Sequence, residues 1–191
     1  RVYPAADLSE QISTAGLEAS GTGNMKFMMN GALTIGTLDG ANIEIREQVG
    51  DDNFFLFGRT TEGIAELREQ GYRPWEWIGN DPLLAEVFAL IERGHFSQGD
   101  TDRFRPMTDQ LRGVDPFVVL ADFAAYLQAQ ASVSATWADR RRWNQMALLN
   151  TARSGFFSSD RAIGEYAERI WDVTPSPVAI RGSDLSAPPP A

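Results

Sequence analysis

The sequence predicts a helix-rich α/β fold, on three observations. Short β-prone runs lie between glycines and aspartates, segments of helical period alternate with them, and the chain turns mainly helical from residue 61 onward. Eight of the seventeen glycines fall between residues 13 and 58, so the alternating part is dense in tight turns.

Taken in order, Arg1-Val2-Tyr3-Pro4 reads as the end of a strand with no earlier element to pair with, as in a piece of a longer chain. Thr22 is placed to cap a helix beginning near Asn24, and Asp39-Gly40 to open a second through Ala41, Ile43, Glu44 and Ile45. Leu33-Thr34-Ile35 and Asn53–Phe57 read as buried parallel strands, joined in one sheet by Phe117-Val118-Val119-Leu120. Asp81-Pro82 opens a helix with Leu84, Val87, Phe88 and Ile91 on one face, and Phe123, Tyr126, Leu127 and Ala131 recur at helical spacing. Ser158, Ser159 and Asp160 begin an amphipathic helix over 159–171, with Ile163, Tyr166, Ala167, Ile170 and Trp171 as its apolar stripe. Residues 1–173 are expected to fold together. Residues 174–191 are proline-rich, end in Ala-Pro-Pro-Pro-Ala, and are expected to stay loose.

Composition narrows the function. Hydrophobic residues make up 43% and charged residues 23%, which suits a folded domain, while a formal charge of -9 opposes nucleic acid and anionic membranes. There is no cysteine and one histidine, His95, so thiolate metal sites, disulfides and multi-histidine centres are excluded. No long apolar run or leader-like opening is present, and a cytoplasmic setting is the default expectation.

Sixteen of the seventeen basic residues are arginine, which leaves Lys26 as the sole lysine. It is either a leftover surface charge or a side-chain amine able to attack a carbonyl. Lys26 sits in Gly21-Thr22-Gly23-Asn24-Met25-Lys26, which satisfies neither a dinucleotide fingerprint nor a P-loop. What remains is either an ordinary capped helix start or a phosphate site with free N–H groups and a threonine hydroxyl. An aldehyde cofactor with a phosphate arm requires both an amine and an anion site, and pyridoxal phosphate is such a molecule.

The segment from Pro4 to Gly58, around GTGNMKF, closely resembles the pyridoxal-phosphate region of the α-glucan phosphorylases, the family of glycogen, starch and maltodextrin phosphorylase. The likeness continues more loosely through Phe117–Asp122 and Ser158–Arg161 to Trp171. The resemblance implies part of the Rossmann-like C-terminal lobe of a two-lobed glycosyltransferase (GT-B type) fold. It implies that Lys26 holds pyridoxal 5'-phosphate covalently, that Thr22 and Gly23 contact its phosphate, and that Glu18 with the main chain of Ala19, Ser20 and Gly21 binds the glucosyl unit. It further implies α-1,4-glucan and orthophosphate or glucose 1-phosphate as reactants, a missing N-terminal lobe as partner, and a homodimer as the common assembly. Alone, the segment is expected to be inactive. The alternative is a non-enzymatic sugar- or phosphate-binding module derived from a phosphorylase.

Other candidates have plainer readings. His95 is expected at the surface, Met25, Phe27, Met28 and Met29 as core filling, and Arg140-Arg141-Arg142 as a solvated helix face.

Overall fold

In the computed structural model, which describes residues 2–17, 21–174 and 176, three parallel strands stand in the order β1-β2-β3. They are β1 (Leu8–Gln11), β2 (Leu33–Gly36) and β3 (Phe55–Leu56), with Leu8 opposite Leu33 and Ile35 opposite Phe55. Parallel neighbours need a crossover, and α1 (Thr22–Met29) and α2 (Ala41–Val49) supply the two. β2 is buried at all four positions, as a central strand covered on both faces must be. Its Leu33 and Ile35 pack with Phe55 and Phe57 against Ala129, Val133, Trp143 and Met146.

Those last four residues lie on α7 (Val119–Ala138) and α8 (Arg140–Arg153), which follow α3 (Thr61–Glu69), α4 (Pro74–Asn80), α5 (Pro82–Glu92) and α6 (Arg105–Gly113). The helix starts obey local chemistry. Asp81 accepts from the N–H groups of Leu83 (2.9 Å) and Leu84 (3.1 Å) with Pro82 in the first turn, and Asp139 accepts from Arg142 (3.0 Å). On α5, Leu84 and Phe88 enter a second cluster with Ile78 and Leu120, while Val87 stays 37% exposed. A third cluster joins Ile64, Val118 and Ala121.

The structure corrects several expectations. Phe117–Leu120 is not a strand. Val118 takes a left-handed conformation (φ 56°), and the Asp115 carboxylate accepts from the N–H groups of Val119 (3.1 Å) and Leu120 (3.0 Å), which turns the run into the start of α7. Val118 is buried as a plug in the third cluster, whereas Phe117 is 57% exposed. Of Asn53–Phe57, only Phe55–Leu56 is strand, because Asp51–Asn53 forms a 3-10 turn. The opening residues are not a strand end. Tyr3–Ala5 is a 3-10 turn, and the strand that follows, β1, has three polar residues in four and no β-prone signature.

The chain divides into two compact units that part between Gly155 and Phe156. In the second, α9 (Ser159–Tyr166) runs on into a π-helical turn, Ala167–Trp171. Of its expected apolar stripe only Ala167 is buried; Ile163, Tyr166, Ile170 and Trp171 are 45–67% exposed. The proline-rich end lies outside the described residues except for Thr174 and Ser176.

Asp115 also accepts a hydrogen bond from the Tyr72 hydroxyl (2.6 Å). Burial first, then this carboxylate, holds the Tyr72 hydroxyl well above its ordinary pKa of 10.0. The unfolded chain therefore releases the Tyr72 proton at a pH where the folded chain keeps it. That contribution to stability is full below pH 10.0 and declines as pH rises above it. Urea unfolding across that range should show the decline, and Tyr72→Phe should make it shallower. Asp115→Ala should lower stability at neutral pH by about 1–3 kcal/mol, because it strips acceptors from three donors.

Candidate functional site

The first turn of α1 carries three of the residues singled out by the sequence. Gly21 is its N-cap in a left-handed conformation (φ 73°, ψ 39°), so Thr22 does not cap the helix and its side chain is exposed. A Cβ at Gly21 would stand 2.7 Å from Asn24 Oδ1 and 3.2 Å from the Ala41 Cβ, so this position requires glycine on two grounds. At Gly23, by contrast, an added Cβ would meet nothing within 4 Å. Among the described residues nothing stands where a side chain at Gly23 would lie.

Lys26 lies four residues after Thr22 and three after Gly23, so helical geometry sets all three on one face. Its side chain is exposed. Nζ is 5.9 Å from the centroid of the Tyr3 ring, which meets Phe27 edge-on at 4.7 Å. The opposite face of α1 holds the fully buried Asn24 and Met28. Met25 and Phe27 are half-buried and Met29 is 60% exposed, so core filling holds for Met28 and fails for Met29.

What fixes this turn is a polar chain that the sequence reading missed. Asn24 Nδ2 donates to Asn42 Oδ1 (2.8 Å), and Asn42 Nδ2 donates to the Thr37 carbonyl (3.1 Å). Thr37 Oγ1 in turn donates to the Ser13 carbonyl (2.6 Å). Asn24, Asn42 and Thr37 are each no more than 1% exposed. The start of α1 is thereby tied to α2, to the end of β2 and to the segment after β1. Gly36 admits the network, since a Cβ there would lie 2.8 Å from Asn42 Nδ2. The available signal was two asparagines, poor helix formers, inside helical segments without a capping role.

The loop before α1 is held by Asp39, whose Oδ2 accepts from the Gly16 N–H (2.7 Å). Glu18, Ala19 and Ser20, the expected sugar contacts, lie outside the described residues; of that group Gly21 alone is described. His95 is exposed, as expected, and meets Phe96 edge-on. In the arginine run, Arg140 and Arg141 are exposed, and Arg142 donates to the Asp52 carbonyl (2.6 Å). No group of three or more His, Cys, Asp or Glu able to hold a metal occurs among the described residues. Nor is any described helix long and apolar enough to cross a membrane.

This donor set fits an aldehyde with a phosphate arm. It offers an exposed amine and an exposed hydroxyl on one face of a helix near its positive end, with space beside Gly23 among the described residues.

The comparisons with known proteins bear on the same segment. The family model described as carbohydrate phosphorylase matches residues 1–173. A glycogen phosphorylase of Synechocystis sp. is 61% identical over 185 residues, covering 97% of this chain and 22% of that protein. The muscle form of glycogen phosphorylase from Homo sapiens is 51% identical over 176 residues, covering 92% of this chain and 21% of that protein. A glycogen phosphorylase of Haemophilus influenzae is 51% identical over 174 residues. The chain thus spans about a fifth of the length of the relatives it matches.

The buried amide pair should be energetically coupled. In a double-mutant cycle of Asn24→Ala and Asn42→Ala, each single change should lower stability by about 1–3 kcal/mol, since each strands a buried partner. The double variant should then fall short of their sum by about 1 kcal/mol in urea titrations.

Proposed function

This chain belongs to the carbohydrate phosphorylase family, and on that premise we propose that it works as the cofactor-bearing part of a glycogen or α-glucan phosphorylase, a glycosyltransferase. The reaction is phosphorolysis of α-1,4-glucan ends. Orthophosphate gives a proton to the departing glycosidic oxygen as the bond from C1 to that oxygen breaks, and an orthophosphate oxygen bonds to C1. The product is α-glucose 1-phosphate with configuration retained.

The observation that carries the reading is the position of the sole lysine, exposed on α1 on the same face as Thr22 and Gly23. In this proposal Lys26 would hold pyridoxal 5'-phosphate through its amine, the aldehyde oxygen leaving as water, and the Thr22 hydroxyl and Gly23 N–H would hold the phosphate. When bound, the cofactor supplies an ionisable phosphate as a proton relay to orthophosphate. Glu18 accepts from a glucosyl hydroxyl, and the main chain of Ala19, Ser20 and Gly21 completes the sugar contact. Gly21 and the Asn24–Asn42 pair act as positioning residues.

The same proposal assigns residues 1–173 to the C-terminal lobe of a two-lobed GT-B-type enzyme, with a second lobe supplying the remaining phosphate ligands. It places that enzyme in the cytoplasm as a homodimer and leaves the chain inactive by itself. Magnitudes agree with the last point. A helix N-terminus contributes about 0.3–2 kcal/mol toward an anion and each charged hydrogen bond about 1.5–3, against an association cost of about 4–15. Little surplus remains for the cofactor without cationic ligands from elsewhere.

Pyridoxal phosphate added to this chain at about 1 mM, trapped with borohydride and located by peptide mass mapping, should mark Lys26, with the α-amino group as the other acceptor. Lys26→Ala should lose the internal mark. A full-length phosphorylase containing this segment whose trapped cofactor maps to another residue overturns the assignment. In that full-length enzyme, Glu18→Ala should lower kcat/KM for glucose 1-phosphate by roughly 10- to 100-fold, the loss expected for one charged hydrogen bond. Unchanged kinetics would remove Glu18 from the sugar site.

A further inference from the structure

A cavity of about 240 Å³ opens where the strands end. Ile12 in its wall follows β1 and Phe57 follows β3, and Val119, Asp122, Phe123 and Tyr126 of α7 face them. It shares no lining residue with the α1 face. The carboxyl end of parallel strands is where open α/β sheets take ligands, and this cavity sits there with walls that are mainly apolar.

Its polar groups are almost all engaged. The Tyr126 hydroxyl donates to Glu10 (3.1 Å) and accepts from Gln130 (2.8 Å), and the Thr14 hydroxyl donates to the Phe117 carbonyl. Asp122 is the exception. It is 6% exposed, and Oδ1 accepts from the Arg59 N–H (3.0 Å). No described residue donates a hydrogen bond to Oδ2, which lies 2.8 Å from where a Cβ at Gly58 would stand. Among the described residues Asp122 has no ion pair, because the Arg59 guanidinium lies over the Trp77 ring, 5.4 Å from its centroid. A buried carboxylate with an unused oxygen, in an apolar cavity, is an incomplete interaction.

We propose that this cavity binds a small organic cation, an amidinium or ammonium group on a compact cyclic apolar body, with the cation on Asp122 and the ring between Phe57, Phe123 and Tyr126. Charge decides the class. An N–H cation gives Oδ2 a hydrogen bond, a neutral apolar molecule gives it none, and an anion meets a like charge. Size agrees, since an apolar cavity of about 150 Å³ already accommodates benzene.

Benzamidine is the probe, titrated into this chain at several pH values, since burial raises the Asp122 carboxyl and binding should strengthen as pH rises and the carboxyl ionises. Calorimetry should give a Kd of about 1 mM or tighter, with toluene weaker and benzoate without binding. In amide NMR spectra the Arg59 N–H, bonded to the same carboxylate, should shift with benzamidine. Asp122→Asn keeps an acceptor for Arg59 and removes the charge; it should weaken benzamidine roughly tenfold or more while leaving toluene unchanged. Ile12→Trp, at a 57% exposed position on the rim, should block both ligands. Equal affinity for benzamidine and toluene, or unchanged benzamidine binding in Asp122→Asn, overturns the proposal. So does a folded wild-type chain that ignores benzamidine, which would leave the carboxylate to a cationic side chain of another protein segment. The comparison of the three ligands on the unmodified chain decides the matter even if Asp122→Asn fails to fold.

Discussion

The buried amide pair of Asn24 and Asn42 is the interaction on which the α1 site depends. Two side-chain amides removed from water must each find partners or cost about 1–3 kcal/mol apiece, so their mutual bond fixes the two helix starts against each other. The pair is tied in turn to the Thr37 carbonyl, which anchors the first turn of α1 to the end of β2. The two glycines complete the constraint from the steric side. Gly21 turns the chain into the helix above Asn24, and Gly36 lets Asn42 lie against the end of β2. Lys26, Thr22 and Gly23 make no part of this network. They occupy the face that the network leaves outward, which is why residues suited to chemistry can sit beside a buried structural lock.

A second carboxylate-centred device organises the helical half. Asp115, 1% exposed at a positive φ of 38°, gathers the Tyr72 hydroxyl and two backbone N–H groups at the start of α7. It converts a run of four apolar residues into a helix start. In both places a buried polar side chain, rather than the apolar core, selects among conformations that the hydrophobic pattern alone would allow.

Much of the architecture was legible in the residues. Leu33-Thr34-Ile35 announced a buried strand, Asp81-Pro82 announced a helix start, and a single lysine in an arginine-rich chain drew attention to a side of α1 where Lys26 and Thr22 are exposed. The strand Leu8-Ser9-Glu10-Gln11 was not legible, because three of its four side chains are polar and its pairing is set by β2 rather than by local propensity. Phe117–Leu120 misled for the opposite reason. A β-branched apolar run looks the same as a strand or as a buried capping turn, and the deciding signal, Asp115, lies outside the run. The Asn24–Asn42 contact spans 18 residues, beyond the reach of any periodic pattern. The exposed stripe on α9 shows the same limit: periodicity reports that a face is apolar and is silent on what covers it.

The longest helix has a consequence for how the first unit comes apart. Its 20 residues make a rod of about 30 Å. Leu120 and Ala121 near one end belong to the clusters among the helices, while Ala129 and Val133 farther along pack on the sheet. Loss of α7 therefore removes a wall from all three clusters at once. Sheet and helices share one structural member, so the unit is wired to melt as a single cooperative block, and amide protons in β2 and in α5 inherit their slowest exchange from the same opening event.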